Sequence, residues 1–96
     1  MQVRFRSEAV EDVEAAKAWY NEQRDGLGDA FVLALESAVR LVVEFPEAFP
    51  EIAARHRRAL LRRFPFALYY RVEGDVVEVL ACLHQSVSPG TWRSRD

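Results

Sequence analysis

Ninety-six residues, half of them apolar and 29% charged, suit one globular domain with a modest core and exclude a disordered chain. A net charge of −2 argues against non-specific nucleic-acid binding by the chain as a whole. The single cysteine, Cys82, excludes an internal disulfide and predicts a reducing, cytoplasmic setting; no apolar run has the length of a membrane helix, and no secretory signal is expected.

Gln2 to Arg6 alternates polar and apolar residues, which predicts a short strand. Ser7, followed by acids, reads as the N-cap of a helix running from about Glu8 to Arg24. Ala9, Val13, Ala16 and Tyr20 mark its buried face. Trp19 and Tyr20 are neighbours and cannot point the same way, and both are expected to rim the core. Asp25-Gly26-Leu27-Gly28 breaks the helix, and Asp29 reads as the cap of a second. Phe31, Leu35, Ala38, Val42 and Phe45 follow a 3.6-residue period, widened by Ala34 and Leu41. Pro46 ends that helix, and the short break between the two predicts an antiparallel hairpin.

Three strands are expected next. The first covers about Arg55 to Arg63, and Phe64-Pro65 breaks it. Phe66 to Val72 follows, then the turn signal Glu73-Gly74-Asp75. Val76 to Leu83 is almost wholly apolar and reads as a central strand buried on both faces. Ser88-Pro89-Gly90 predicts a turn, after which Trp92 packs back on the body. The order strand, helix, helix, three strands predicts a two-layer α+β domain over residues 1–96, with the hairpin on a four-stranded, mostly antiparallel sheet. The position of the first strand in that sheet is left open.

Charge is unevenly distributed. Residues 8–47 sum to −7 and residues 48–96 to +3, with five arginines between Arg55 and Arg63. Twelve of the thirteen basic residues are arginine, whose planar fork suits carboxylate or phosphate. Strict alternation places Arg55, Arg57 and Arg63 on one face and His56, Arg58 and Arg62 on the other. Two readings follow: a charged edge strand protected from aggregation, or a carboxylate-binding surface. For the second, Arg58, Arg62 and Arg63 are the candidates, with Arg71 joining from the next strand and Arg93 and Arg95 from the tail. His84 is the side chain suited to acid–base chemistry, although a strand-end or interface role fits it better. Tyr69 and Tyr70 read as sheet packing. Cys82 and His84 alone make no metal site, and Gly26 and Gly28 serve a turn without forming a phosphate loop. No cofactor and no metal are expected.

Trp19-Tyr20, Arg24, Gly26-Leu27-Gly28 and Phe31 resemble the helical hairpin of the ParE/RelE toxin superfamily. Phe45-Pro46 and Phe49-Pro50 are similar to its helix-to-sheet connection. Arg63-Phe64-Pro65-Phe66, Tyr69-Tyr70, Val79-Leu80-Ala81, His84, Pro89 and Trp92 resemble its sheet and tail. The likeness spans nearly the whole chain and is closer to the ParE-like branch than to the ribonucleases. It implies the toxin of a type II toxin–antitoxin pair, which poisons DNA gyrase, contributes to plasmid stabilisation and is neutralised by a ParD-like antitoxin. The implied assembly is a hetero-oligomer that reaches operator DNA only through the antitoxin, without a membrane. The surface for antitoxin or target would comprise Arg58, Arg62, Arg63, Arg71, His84, Trp92, Arg93 and Arg95. Members often carry arginines after the histidine, where this chain has Ser86 and Val87. The alternatives within the superfamily are a ribosome-dependent messenger endoribonuclease and a non-toxic homologue that binds its antitoxin.

Overall fold

Helical periodicity and the glycine and proline breaks divide the chain in the expected order. The computed structural model describes residues 1–95. Strand β1 (Gln2–Phe5) leads into helix α1 (Ser7–Gln23), and α2 (Leu27–Glu44) follows. Strands β2 (Glu51–Ala53), β3 (His56–Leu60), β4 (Phe66–Glu73) and β5 (Val76–His84) come next, then a short helix α3 (Pro89–Arg93). Both long helices pack on one face of a single sheet ordered β1-β5-β4-β3-β2. No helix among the described residues is long and apolar enough to cross a membrane.

The sheet has five strands, not four. The extra strand, β2, is a three-residue edge paired antiparallel to β3. The expected strand from Arg55 to Arg63 shortens to His56–Leu60, because Arg55 and Arg63 adopt left-handed backbone angles (φ 66° and 73°) and end the extended run. Only Arg57 and Arg58 of the five clustered arginines therefore lie in the strand. Strand β1 joins parallel to β5, with Val3 opposite Val77 and Phe5 opposite Val79. That pairing makes β5 central, flanked by β1 and β4, as its apolar composition predicts.

Three local details differ from expectation. Arg6 is the N-cap of α1, without a side-chain cap, and the Ser7 hydroxyl turns to the Glu8 carboxylate. Gly26, at φ 86°, caps α2, and Asp29 lies inside the first turn, where its charge still favours the helix N-terminus. Phe45, the C-cap of α2, leaves the apolar stripe and is 52% exposed. Leu41 is exposed as well.

The main core lies between helices and sheet. Tyr20, Phe31, Phe64 and Phe66 form an aromatic cluster with ring separations of 4.9 to 6.0 Å. Burying Phe31 completely contributes about 2–3 kcal/mol. Tyr20 enters this cluster while Trp19 stands 56% exposed, so the pair divides between core and solvent. Tyr70 is fully buried and its hydroxyl donates to the Pro46 carbonyl at 2.8 Å, tying the end of α2 to the sheet. The helices meet closely at Gly28, whose amide donates to Asn21 Oδ1 at 2.7 Å.

Beyond Val79, β1 gives way to α1, and the outward edge of β5 loses its strand partner. Side chains replace it. Asp12 of α1 accepts from the Cys82 amide at 3.0 Å. Arg95 binds Asp12 through both terminal nitrogens, at 2.6 and 3.2 Å, and donates to the Leu80 carbonyl at 3.2 Å. Arg6 in turn donates to the Arg95 carbonyl. Leu80 is the extra residue of a β-bulge, since Tyr69 faces Ala81 while Tyr70 faces Val79.

Gly28→Ala is expected to cost about 3 kcal/mol by thermal or urea denaturation. The added methyl would lie 2.2 Å from the Lys17 carbonyl oxygen and force the helices apart. Asp12→Ala is expected to cost a similar ~3 kcal/mol, because it strands the Arg95 guanidinium. Amide hydrogen exchange should then accelerate at Cys82 more than at Leu68 on the neighbouring strand.

Candidate functional site

The sheet face opposite the helices carries most of the candidate residues, and two-residue alternation decides which ones. On β3, His56, Arg58 and Leu60 point to this open face. On β4, Ala67, Tyr69 and Arg71 do so. Helix α3 folds across one end of the face and buries Trp92 to 2% exposure. The indole stacks on Tyr69, with centroids 5.1 Å apart and planes within 13°, and approaches His56 at 5.2 Å. The Arg93 guanidinium lies 5.4 Å from the indole centroid. Between α3, β3 and β4 remains a shallow hollow of about 170 Å³, bordered by Arg58, Gln85, Val87 and Arg93.

The eight candidate residues therefore separate into several places. Arg58, Trp92 and Arg93 meet at the hollow. Arg62 and Arg63 stand exposed in the connection between β3 and β4. Arg71 lies further along the open face, bound to Glu78 Oε1 and to Glu73 Oε1, each at 2.9 Å. Arg95 is held at the β5 edge by Asp12, whose bonds raise its pKa above the usual arginine value. His84 points to the helix face, where its ring meets Phe66 at 5.5 Å. Its Nδ1 accepts from the Ser86 amide at 3.1 Å and lies 2.8 Å from the Ser86 hydroxyl. Cys82 is buried, and burial together with Asp12 pushes its thiol up to about 12, so it is inert at neutral pH.

Sequence reasoning missed the acids that select among the arginines. Glu78 is the lone charge in an apolar strand, and its side chain is only 9% exposed. Arg4 contacts it at 3.2 Å, Arg6 at 3.7 Å and Arg71 at 2.9 Å. A single glutamate inside Val76–His84 is the signal that a cationic partner must lie opposite. Alternation places Arg57 on one face with Arg55 and Arg63. Arg57 turns to the helix side and donates to the Glu47 and Phe49 carbonyls at 3.2 and 2.7 Å, with Glu51 at 3.6 Å. Among the described residues, Arg58, Arg62, Arg63 and Arg93 have no carboxylate partner. Of the candidate arginines those four are available; Arg24, Arg40 and Arg55, outside the candidate set, also lack a carboxylate among the described residues.

A second concavity lies on the helical side. Phe5, Val32, Leu35 and Val39 line an open apolar groove of about 520 Å³, with Glu36 and Arg40 on its rim.

Burial pushes the Glu78 carboxyl up, but Arg4, Arg6 and Arg71 outweigh it and hold it below its ordinary value of 4.5. Its contribution to stability is complete above that value and is lost as pH falls through the lower folded value. Glu78→Gln is therefore expected to cost about 2 kcal/mol at neutral pH. The difference from the parent protein should shrink in urea titrations repeated toward about pH 3.

The comparisons with known proteins agree with this architecture. A chain of the chromosomal ParDE TA system from P. aeruginosa superimposes with a TM-score of 0.66 at 20% identity, over 88% of this chain and 95% of that one. At that identity the likeness establishes the shared fold. No match was found among curated proteins. The family model of the ParE toxin of type II toxin–antitoxin system, parDE, matches residues 3–89. With nearly the whole chain matched and the fold shared, this protein belongs to the ParE toxin family of type II toxin–antitoxin systems.

Proposed function

We propose that this chain acts as a toxin by binding DNA gyrase, without covalent chemistry of its own, and that a ParD-like antitoxin neutralises it. One observation favours binding over ribonuclease chemistry. His84 and the unpaired Arg58 and Arg93 lie on opposite faces of the sheet. Cleavage of RNA requires the acid–base group and the phosphate-binding cations to converge on one nucleotide. His56 does share the open face with Arg58, but it is buried under Trp92.

The antitoxin reading rests on the helical side. An amphipathic segment would lay its apolar face on Phe5, Val32, Leu35 and Val39 and pair its charges with Arg40 and Glu36 at the rim. The described structure supports division of labour between the two faces, with the apolar groove for the antitoxin and the free arginines for the target. The pair would form a hetero-oligomer in the cytoplasm, and its operator would be read by the antitoxin alone.

Controlled expression in a bacterial host tests the target. DNA synthesis is expected to fall before protein synthesis, and a resistant gyrase or co-expressed antitoxin should restore growth. Purified protein should inhibit supercoiling, with Arg62→Gln/Arg63→Gln reducing inhibition about tenfold while leaving the melting temperature unchanged. An earlier fall in protein synthesis, with cut messages, would replace this reading by the ribonuclease. Unchanged growth with folded protein in the cell would leave an antitoxin-binding homologue.

A further inference from the structure

Five arginines in this protein are half-buried: Arg6, Arg57, Arg58, Arg71 and Arg95. Four of them have an acid in contact. Arg6 and Arg71 share Glu78, Arg57 approaches Glu51, and Arg95 holds Asp12. Arg58 is the exception. It stands on β3 opposite Tyr69, at the hollow under α3, with no carboxylate partner among the described residues. A partly desolvated guanidinium that lacks a counter-ion forfeits hydration without recovering it in an ion pair. The chain supplies such a partner to every other arginine so placed.

We propose that the hollow between β3, β4 and α3 is a binding site for a side-chain carboxylate presented by an acidic peptide segment. Arg58 and Arg93 supply two guanidinium groups, and Gln85 adds a carboxamide that can donate to the same anion. The rest of the border is apolar: Ile52, Val87 and Pro89. Leu60, two residues beyond Arg58 on the same face, is 51% exposed and extends that apolar ground. A carboxylate flanked by apolar side chains matches both properties.

Nucleic acid matches them less well. Tyr69 and Trp92 are the aromatic rings of this site, but they stack on one another and are 4% and 2% exposed. No ring face is free to receive a base. The other basic side chains of the open face do not continue a phosphate track, because Arg4 and Arg71 are already committed to Glu78. Arg93 packs over the indole, which holds its fork near the hollow at little entropic cost.

The site lies among the arginines assigned above to the target and names the chemistry they would meet, and its test needs no toxin assay, so it can fail without that reading failing. In a Trp19→Phe background, Trp92 is the sole tryptophan and reports on the hollow directly. That protein would be titrated with an end-blocked peptide of sequence Leu-Glu-Asp-Leu, its Leu-Gln-Asn-Leu twin, inorganic phosphate and a short oligouridylate. The acidic peptide is expected to change Trp92 fluorescence saturably, and the amide twin is not. Arg58→Gln should weaken binding roughly tenfold or more. Arg24→Gln, at the exposed end of α1, should leave it unchanged. Amide spectra of Arg58→Gln should remain those of the folded protein, since its side chain has no hydrogen-bond or ion-pair partner among the described residues. Equal binding of the two peptides, or undiminished binding by Arg58→Gln, would overturn the proposal. Tighter binding of oligouridylate or phosphate at the same residues would also overturn it and reassign the hollow to nucleic acid.

Discussion

A central strand must satisfy both of its hydrogen-bonding edges, and β5 has a neighbouring strand on its outer edge for only half its length. Where β1 turns into α1, the outward amide of Cys82 and carbonyl of Leu80 would otherwise be buried without partners. Asp12 and Arg95 fill the gap as an ion pair whose members each continue the ladder. Helix α1, the central strand and the C-terminal segment are thereby joined at one point. Because Arg95 is anchored there, α3 is held across the open face and Trp92 over Tyr69. The position of Arg93, and hence the shape of the hollow, follows from a hydrogen-bonding requirement on the far side of β5.

Arginine is used in two ways. Some guanidinium groups hold the fold together: Arg95 with Asp12, Arg71 with Glu78, and Arg57 across the connection after α2. Others, at the hollow and in the connection beyond β3, have no counter-ion among the described residues. The acidic excess of the first half of the chain meets the basic excess of the second at very few points, Asp12 being the principal one. Charge balance over the whole chain therefore conceals a surface on which positive groups remain available.

The helical hairpin, the order of elements and the central place of β5 were legible because each depends on periodicity within a short window. Phe45 misled because a stripe continues in sequence after its helix has ended. Strand β2 escaped because three residues with a single strongly apolar member, Ile52, carry no alternation to detect. The candidate site was legible only as a list of residue types. Arg58 and Arg95 look alike in sequence, and what separates them is an acid 83 positions from Arg95. The insertion of β1 beside β5, and the acids that occupy particular arginines, are long-range outcomes that local pattern does not encode.

The bulge at Leu80 decides which face each later residue of β5 occupies. Along β5, Val77 and Val79 belong to the helix-side core, Ala81 to the open face and Cys82 to the helix side again. A strand counted by twos from Val77 would instead send Ala81 inward and Cys82 and His84 outward. The imidazole would then share a surface with Arg58 and Arg93. The surplus residue works like a frameshift in the two-sided code of the strand: everything after it changes sides. A drift of the bulge to any position beyond His84 would bring a histidine among unpaired arginines with no substitution at all. In this fold, one residue of slack in one strand separates an open face that holds arginines from one that would hold the imidazole as well.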